Sequence, residues 1–201
     1  MKLYHSPQSR SVRPRWLLEE LGVPYDLVHL DFAKGEHKTP EYLKIHPHGL
    51  VPALVDGDVT VFESAAVCAY LADKYADKHL APPVGSQARA AYYQWMHYSM
   101  ATLEPPVVQI FLNTVMLPEE QRSAKVVEES RRACVDIMRV LSQALTGKPF
   151  LLGEPFSAAD VMVGSTLAWA QFMGLIDGQP VLQDYVKRLA ERPAYQRAQS
   201  D

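Results

Sequence analysis

The chain has 201 residues, 48% of them hydrophobic, which is enough for one large or two small domains with buried cores. Its net charge of −3 and its scattered basic residues argue against a nucleic-acid-binding surface. The first residues lack the apolar run of a signal peptide, and the longest uncharged run, residues 161–176, is short for a membrane span. We therefore predict neither nucleic acid nor a membrane as a partner.

The first 76 residues mix strand and helix signals in the order β-α-β-α-β-β-α. Apolar residues at helical spacing indicate a first helix that ends at Gly22, and Asp56-Gly57-Asp58 predicts the turn of a hairpin. The predicted strands are 2–5, 25–30, 52–55 and 59–62, and the predicted helices are 9–21, 39–46 and 64–75. This order is that of an α/β thioredoxin-like domain, to which we assign residues 1–76.

Strand signals vanish in the rest of the chain. Residues 77–85 are polar and contain Pro82-Pro83, which is typical of a linker, and residues 86–201 predict an all-helical, all-α domain. A kink or break is expected at Pro105-Pro106, and Ser157-Ala158-Ala159-Asp160 predicts a capping box. The predicted helices are 86–115, 117–145, one that opens at residue 157, and 181–191.

The two cysteines, Cys68 and Cys134, lie far apart and lack the spacing of metal ligands. We therefore predict no metal site. A chain without a disulfide framework fits a reducing compartment, and we predict a cytoplasmic location.

The most informative stretch runs from residue 49 to residue 64. A Val51-Pro52 bond that enters a strand is a place where a cis peptide can present backbone N–H and C=O groups to an extended ligand. Ser64 at a helix start offers a hydroxyl and free N–H groups to a carboxylate, and Glu63 offers a negative partner to an amine. These residues predict a receptor for one end of a short zwitterionic peptide.

Five motifs, in order along nearly the whole chain, resemble those of the cytosolic glutathione transferases. They are Lys34-Gly35-Glu36-His37, Val51-Pro52-Ala53-Leu54, Glu63-Ser64-Ala65-Ala66-Val67, Ser157-Ala158-Ala159-Asp160 and Arg192-Pro193-Ala194-Tyr195. The segment Ser9-Arg10-Ser11 resembles a bacterial and fungal branch of that family. The resemblance implies a glutathione S-transferase that joins the glutathione thiolate to small hydrophobic electrophiles. It also implies a homodimer, a role in detoxification, and an electrophile pocket formed by the helical domain.

The side chain that contacts the glutathione sulfur stays open among several residues near the first helix. Ser9, at the predicted N-cap, is the first candidate and Ser11 the second, because a donated hydrogen bond and the positive end of a helix both stabilise a thiolate. Tyr4 and Ser6 are alternatives that other classes of the family suggest. Arg10 would supply positive charge near the sulfur.

The resemblance implies further contacts along glutathione. The backbone of Val51, before Pro52, is expected to pair with the cysteinyl part in a strand-like manner. Glu63 and Ser64 would hold the γ-glutamyl end, and His37 would lie beside the glycine end.

Two other functions stay open. One is a transferase-fold module that binds glutathione or a partner protein without turnover. The other is a glutathione-dependent thiol reductase or peroxidase. Residues 6–11 contain no cysteine, which argues against disulfide exchange by the protein itself.

Overall fold

The computed structural model describes residues 1–200, which divide into two compact units, 1–81 with 191–200, and 82–190. The strands are β1 (Lys2–His5), β2 (Asp26–His29), β3 (Ala53–Asp56) and β4 (Val59–Phe62). The helices are α1 (Val12–Leu21), α2 (Pro40–Leu43), α3 (Ser64–Lys74), α4 (Gln87–Tyr98), α5 (Glu104–Phe111), α6 (Ala124–Leu145), α7 (Ala158–Phe172), α8 (Pro180–Ala190) and α9 (Pro193–Ala198).

The four strands of the first unit form one mixed sheet in the order β2-β1-β3-β4. Strand β1 runs parallel to β2 and antiparallel to β3, and β3 runs antiparallel to β4. Helices α1 and α3 pack against each other and bury their apolar faces, with Trp16 and Leu71 almost completely excluded from solvent. The predicted thioredoxin-like order of elements is confirmed.

The first helix is shorter than predicted. It begins at Val12 and not at Ser9, because residues 9–11 form a turn in which the Val12 N–H donates to the Ser9 carbonyl at 3.2 Å. It ends at Gly22, as predicted, where a φ of 64° places the backbone in the left-handed region that glycine adopts without steric cost. The Gly22 N–H donates to the Leu18 carbonyl and closes the last turn.

Of the kink or break predicted at Pro105-Pro106, the break is wrong, because the chain stays helical from Gln87 to Met116. A π-helical turn, Ser99–Leu103, precedes the prolines, and within it the Glu104 N–H donates to the Ser99 carbonyl five residues back. The prolines then occupy the first turn of α5. The backbone N–H that proline lacks is not needed there as a hydrogen-bond donor within that helix. The wider turn therefore absorbs the irregularity that the prolines introduce.

The next long helix also begins later than predicted. Residues 119–121 form a single 3-10 turn, and α6 starts only after Ser123. The Ser123 hydroxyl accepts a hydrogen bond from the Val126 N–H at 3.3 Å and serves as the N-cap. The predicted end near Thr146-Gly147 is confirmed.

Helix α7 lies at the centre of the second unit, and its predicted capping box is confirmed. The Asp160 carboxylate accepts hydrogen bonds from the Ser157 N–H, the Leu151 N–H and the Tyr185 hydroxyl, each at 2.9 Å. Burial raises the pKa of the Asp160 carboxyl, while these donated bonds act to lower it. Although α7 is apolar nearly all round, no helix within residues 1–200 is long and apolar enough to cross a membrane.

The last helix, α9, was not predicted, and it belongs with the first unit. The rings of Tyr195 and Trp16 meet edge to face at 4.8 Å, and the Arg192 guanidinium donates to both carboxylate oxygens of Glu20 at 2.6 and 2.7 Å. The domain assigned to residues 86–201 therefore differs from the structure in its last ten described residues. A six-residue helix held by ion pairs to distant acids leaves no periodic signal in the sequence.

Candidate active site

Three of the predicted segments meet at one edge of the sheet. Because β3 is antiparallel to both neighbours, Tyr4 of β1 and Phe62 of β4 both pair with Ala53, the first residue of β3. The chain that leaves β1, the chain that enters β3 and the chain that leaves β4 therefore lie side by side. We call this the site edge, and it contains residues 6–11, 51–52 and 63–64.

The two predicted serines lie in direct contact. The Ser9 and Ser11 hydroxyl oxygens are 2.6 Å apart, and Ser9 Oγ also lies 2.6 Å from the Ser6 carbonyl oxygen, to which it donates. Ser11 is the N-cap of α1, but its side chain makes no hydrogen bond to its own helix. Ser11 is completely buried, whereas Ser9 is half-buried. Of the two hydroxyls, only that of Ser9 is within reach of a ligand.

Beneath the serines lies a buried histidine that the sequence analysis missed. Nδ1 of His5 is 2.7 Å from Ser11 Oγ, and Nε2 of His5 is 3.5 Å from the guanidinium of Arg15. Both residues are buried. Strand alternation places His5 on the same face of β1 as the buried Leu3, and that alternation was the signal that could have found it.

The other three candidates for the sulfur contact have different surroundings. Tyr4 lies on the face of β1 opposite to His5, and its ring packs against Tyr42 at 5.2 Å. The Ser6 N–H donates to Ser11 Oγ at 3.2 Å. Arg10 lies between the two serines and is exposed.

The segment that precedes β3 packs against the loop that contains His37. The Val51-Pro52 peptide is cis, and the Lys38 ammonium donates to the His48 carbonyl at 2.8 Å. A Cβ on Gly49 would lie 2.4 Å from the His37 carbonyl oxygen, so only glycine permits this approach. The His37 ring stacks on Phe32 with ring centroids 4.1 Å apart, and its buried Nδ1 has no hydrogen-bond partner within residues 1–200.

Glu63 and Ser64 stand at the start of α3, as predicted. Glu63 is exposed and has a φ of 73°, an uncommon conformation for a residue with a side chain, and one that costs about 1–3 kcal/mol. The buried Ser64 hydroxyl accepts a hydrogen bond from the Arg13 guanidinium at 3.2 Å. Arg13 was also missed, although it lies one helical turn before Trp16 and Leu17 on the buried face of α1.

Neither cysteine has the properties of a nucleophile. Burial raises the pKa of the Cys68 thiol to about 12 and that of Cys134 to about 11. Both thiols therefore stay protonated at neutral pH. Within residues 1–200 there is no group of three or more His, Cys, Asp or Glu side chains that could hold a metal ion.

Comparison with known proteins gives matches over most of the chain. Residues 1–73 match the family model for the glutathione S-transferase N-terminal domain, and residues 124–188 match that for the C-terminal domain. Glutathione S-transferase 3 of Zea mays is 31% identical over 208 residues, which cover 98% of this chain and 92% of the maize protein.

Solved structures match at similar identity. The glutathione transferase URE2P6 from Phanerochaete chrysosporium, in complex with oxidized glutathione, is 30% identical with a TM-score of 0.87, over 98% of this chain and 93% of that one. A sphingomonad glutathione S-transferase complexed with glutathione is 27% identical with a TM-score of 0.85, over 99% and 97% of the two chains.

The chain belongs to the glutathione S-transferase family. The family, the fold class and the enzyme class predicted from the sequence are confirmed. The protein is a glutathione transferase, an enzyme that conjugates glutathione to a second substrate.

Proposed function

We propose that this enzyme joins the glutathione thiolate to small hydrophobic electrophiles, and that the site edge binds the glutathione. The observation that carries the proposal is the meeting of residues 6–11, 51–52 and 63–64 at the ends of three neighbouring strands. Each segment offers a different kind of group: hydroxyls, an extended backbone, and a carboxylate beside a helix start. A tripeptide with a thiol at its centre and charges at its ends needs this combination.

In this proposal, the Ser9 hydroxyl turns its proton from the Ser6 carbonyl, to which it donates in the structure, to the sulfur. Of the two serine hydroxyls it is the one within reach of a ligand, and it lies just before the positive end of α1. A donated hydrogen bond and a nearby positive potential both favour the thiolate over the thiol. Arg10, which is exposed in the same turn, adds positive charge. The buried Ser11 hydroxyl holds the Ser9 side chain in place, since the two hydroxyl oxygens are 2.6 Å apart.

The γ-glutamyl end of glutathione is assigned to the start of α3. The carboxylate of glutathione would accept hydrogen bonds from Ser64 and from backbone N–H groups, with the Arg13 cation behind Ser64. The exposed Glu63 carboxylate would bind the ammonium group. The left-handed backbone of Glu63 supports the assignment, since such conformations concentrate at ligand sites.

The rest of the peptide is assigned to the loop before β3. Val51, before the cis Pro52, would pair its backbone with the cysteinyl part, in the manner of an added strand. His37 would lie beside the glycine end, with its ring stacked on Phe32. The helical domain would then supply the pocket for the electrophile, and the enzyme would act as a homodimer in detoxification.

A pH titration of the thiolate absorbance of bound glutathione tests the proposal, with S-methylglutathione as the blank. Free thiols have a pKa of about 8.5, and we expect a clearly lower value in the complex. Saturable binding with no change in the thiol pKa would instead identify a module that holds glutathione without activating it. Sedimentation velocity tests the homodimer, which would have twice the chain mass of 22.6 kDa.

A further inference from the structure

The start of α3 is open to a ligand. The first backbone hydrogen bond of this helix runs from the Val67 N–H to the Glu63 carbonyl, at 2.9 Å. The N–H groups of residues 64–66 come before that bond and have no partner inside the helix. The Glu63 side chain, at the N-cap, does not cap the helix either. An acceptor from outside the helix is therefore needed at this end.

The Ser64 hydroxyl adds a further donor at the same place. Ser64 is only 2% exposed, and its hydroxyl oxygen accepts a hydrogen bond from Arg13 Nη1 at 3.2 Å. Because a guanidinium has donors and no acceptor, the direction of this bond is fixed. The hydroxyl has no other hydrogen-bond partner within residues 1–200, so its own proton has no acceptor there. Buried polar groups are rarely left unmatched, and this one points to an acceptor on a ligand.

The Arg13 cation lies directly behind this helix start. Arg13 is on the buried face of α1 and is 3% exposed, so water screens its charge little. Its charge also acts on Cys68, one helical turn after Ser64: burial raises the pKa of the Cys68 thiol, and the Arg13 charge opposes that rise. A guanidinium repels the proton of the hydroxyl to which it donates. The Ser64 proton therefore turns away from Arg13.

We propose that Arg13 is a positioning residue that sets the Ser64 hydroxyl as a hydrogen-bond donor to the γ-glutamyl carboxylate of glutathione. This inference rests on the proposed function, which assigns that carboxylate to the start of α3. With its oxygen held by Arg13, the Ser64 hydroxyl presents its proton, and a carboxylate is an acceptor only. The bond that Ser64 accepts from a cation also polarises its O–H group and makes it a stronger donor.

A pair of ligands isolates the carboxylate in question. Glutathione is compared with 4-aminobutanoyl-cysteinylglycine, the same peptide without the α-carboxylate of the γ-glutamyl residue. By calorimetry, wild type should bind this analogue about tenfold or more weakly than glutathione. Arg13→Met should raise the dissociation constant of glutathione by about three- to tenfold, the value of one hydrogen bond. It should leave that of the analogue unchanged, because the analogue has no group for Ser64 to bind.

Arg89→Met is the matched control. Arg89 is a buried arginine of the second unit that donates to the Pro82 carbonyl at 2.8 Å, and its replacement should leave both constants unchanged. If Arg13→Met does not fold, Arg13→Gln takes its place. The Gln amide nitrogen occupies the position of Nε, two bonds short of the Nη1 that meets Ser64, so the same two results are expected.

A double variant tests whether Arg13 acts through Ser64. When Ser64 is already Ala, Arg13→Met should raise the dissociation constant of glutathione less than it does in wild type. An equal rise in the two backgrounds would mean that Arg13 acts without Ser64, and it would overturn the inference.

The remaining outcomes separate this inference from the function on which it rests. A wild-type protein that does not bind glutathione would overturn the proposed function. Equal binding of the two ligands by wild type would overturn the assignment of the carboxylate, and the inference with it. If Ser64→Ala removes the preference for glutathione and Arg13→Met keeps it, the role of Arg13 alone is overturned. Equal weakening of both ligands in Arg13→Met would identify a structural role and would also overturn it.

Discussion

The N-cap serines of α1 and α7 have opposite roles. At the start of α7, Ser157 and Asp160 form a capping box, and both residues are buried within the second unit. At the start of α1, Ser11 does not cap its helix. Its hydroxyl contacts His5 from one side and Ser9 from the other.

The difference lies in what surrounds each helix start. Asp160 brings an acceptor back to its own N-cap, so the polar groups of α7 are satisfied locally and face no ligand. Helix α1 has no acid in its first turn. Its serines therefore bond to groups from β1 and the connecting loop, and one of them stays within reach of a ligand. The first arrangement stabilises the fold, and the second is the one that we propose as part of the glutathione site.

The largest expected effect is on stability, at the buried start of α7. Replacing Asp160 by Ala leaves the donors of Ser157, Leu151 and Tyr185 without an acceptor, and each stranded donor costs about 1–3 kcal/mol. We expect the free energy of unfolding, measured by urea denaturation, to fall by about 3 kcal/mol or more. The thiol pKa of bound glutathione should not change in the folded fraction.

Asp136→Ala is the matched control for this variant, because Asp136 is an exposed acid of the same unit with one contact, to Arg139 at 3.5 Å. Its cost should be below about 0.5 kcal/mol. Equal losses for Asp160→Ala and Asp136→Ala would contradict the buried network as the source of the stability.

The next effect is on binding, at the start of α3. Ser64→Ala removes a hydroxyl that we assign to the γ-glutamyl carboxylate, and a charge-assisted hydrogen bond contributes about 1.5–3 kcal/mol. The dissociation constant of glutathione, measured by calorimetry, should rise about tenfold or more. Thr60→Ala, which removes an exposed hydroxyl from β4, should leave it unchanged. An unchanged constant in Ser64→Ala would exclude this assignment.

A smaller effect is expected on the chemistry of the sulfur. Ser9→Ala should raise the thiol pKa of bound glutathione by about 1, which corresponds to about 1.4 kcal/mol, with little loss of stability. Ser200→Ala is the matched control, since its hydroxyl also donates to a carbonyl three residues back, at 2.7 Å. If Ser9→Ala kept the wild-type thiol pKa, as Ser200→Ala should, the Ser9 hydroxyl would not be the sulfur contact.

The smallest effect is a pH dependence remote from both helix starts. Hydrogen bonds from Lys74 and Tyr70 hold the pKa of Asp56 below its usual value of 3.8. Because the folded-state pKa is lowered, the stabilisation is complete above about pH 4 and is lost as the pH falls through the folded value. The thermal midpoint of wild type should exceed that of Asp56→Asn by about 1–2 °C at neutral pH. A difference that grew in acid would contradict this sign.

Much of the fold could be predicted because its signals are local. Gly22 ends α1, Asp56-Gly57-Asp58 makes the hairpin turn, and Ser157 with Asp160 opens α7. The errors fell where tertiary contacts overrule local preference. Pro105-Pro106 did not interrupt the helix because a π-helical turn accommodates them, and α9 is held by partners more than 170 residues away in the chain.

The candidate site could be predicted in part, because some of its signals are also local. Val51-Pro52 and Glu63-Ser64 were found from turn and cap chemistry, and the structure brings both segments to the site edge. His5 and Arg13 were not found, because their importance depends on Ser11 and Ser64, which lie on other elements. Neither contact is encoded in a spacing along the chain.

The sequence by itself determined the order of strands and helices, the family, and which segments carry hydroxyls and acids. These properties follow from short-range rules: side-chain period, capping and turn formation. Only the tertiary structure decided that Ser11 faces His5 and not its own helix. A hydroxyl bonds to whichever partner lies within about 3 Å, and that distance is set by the packing of β1 against α1.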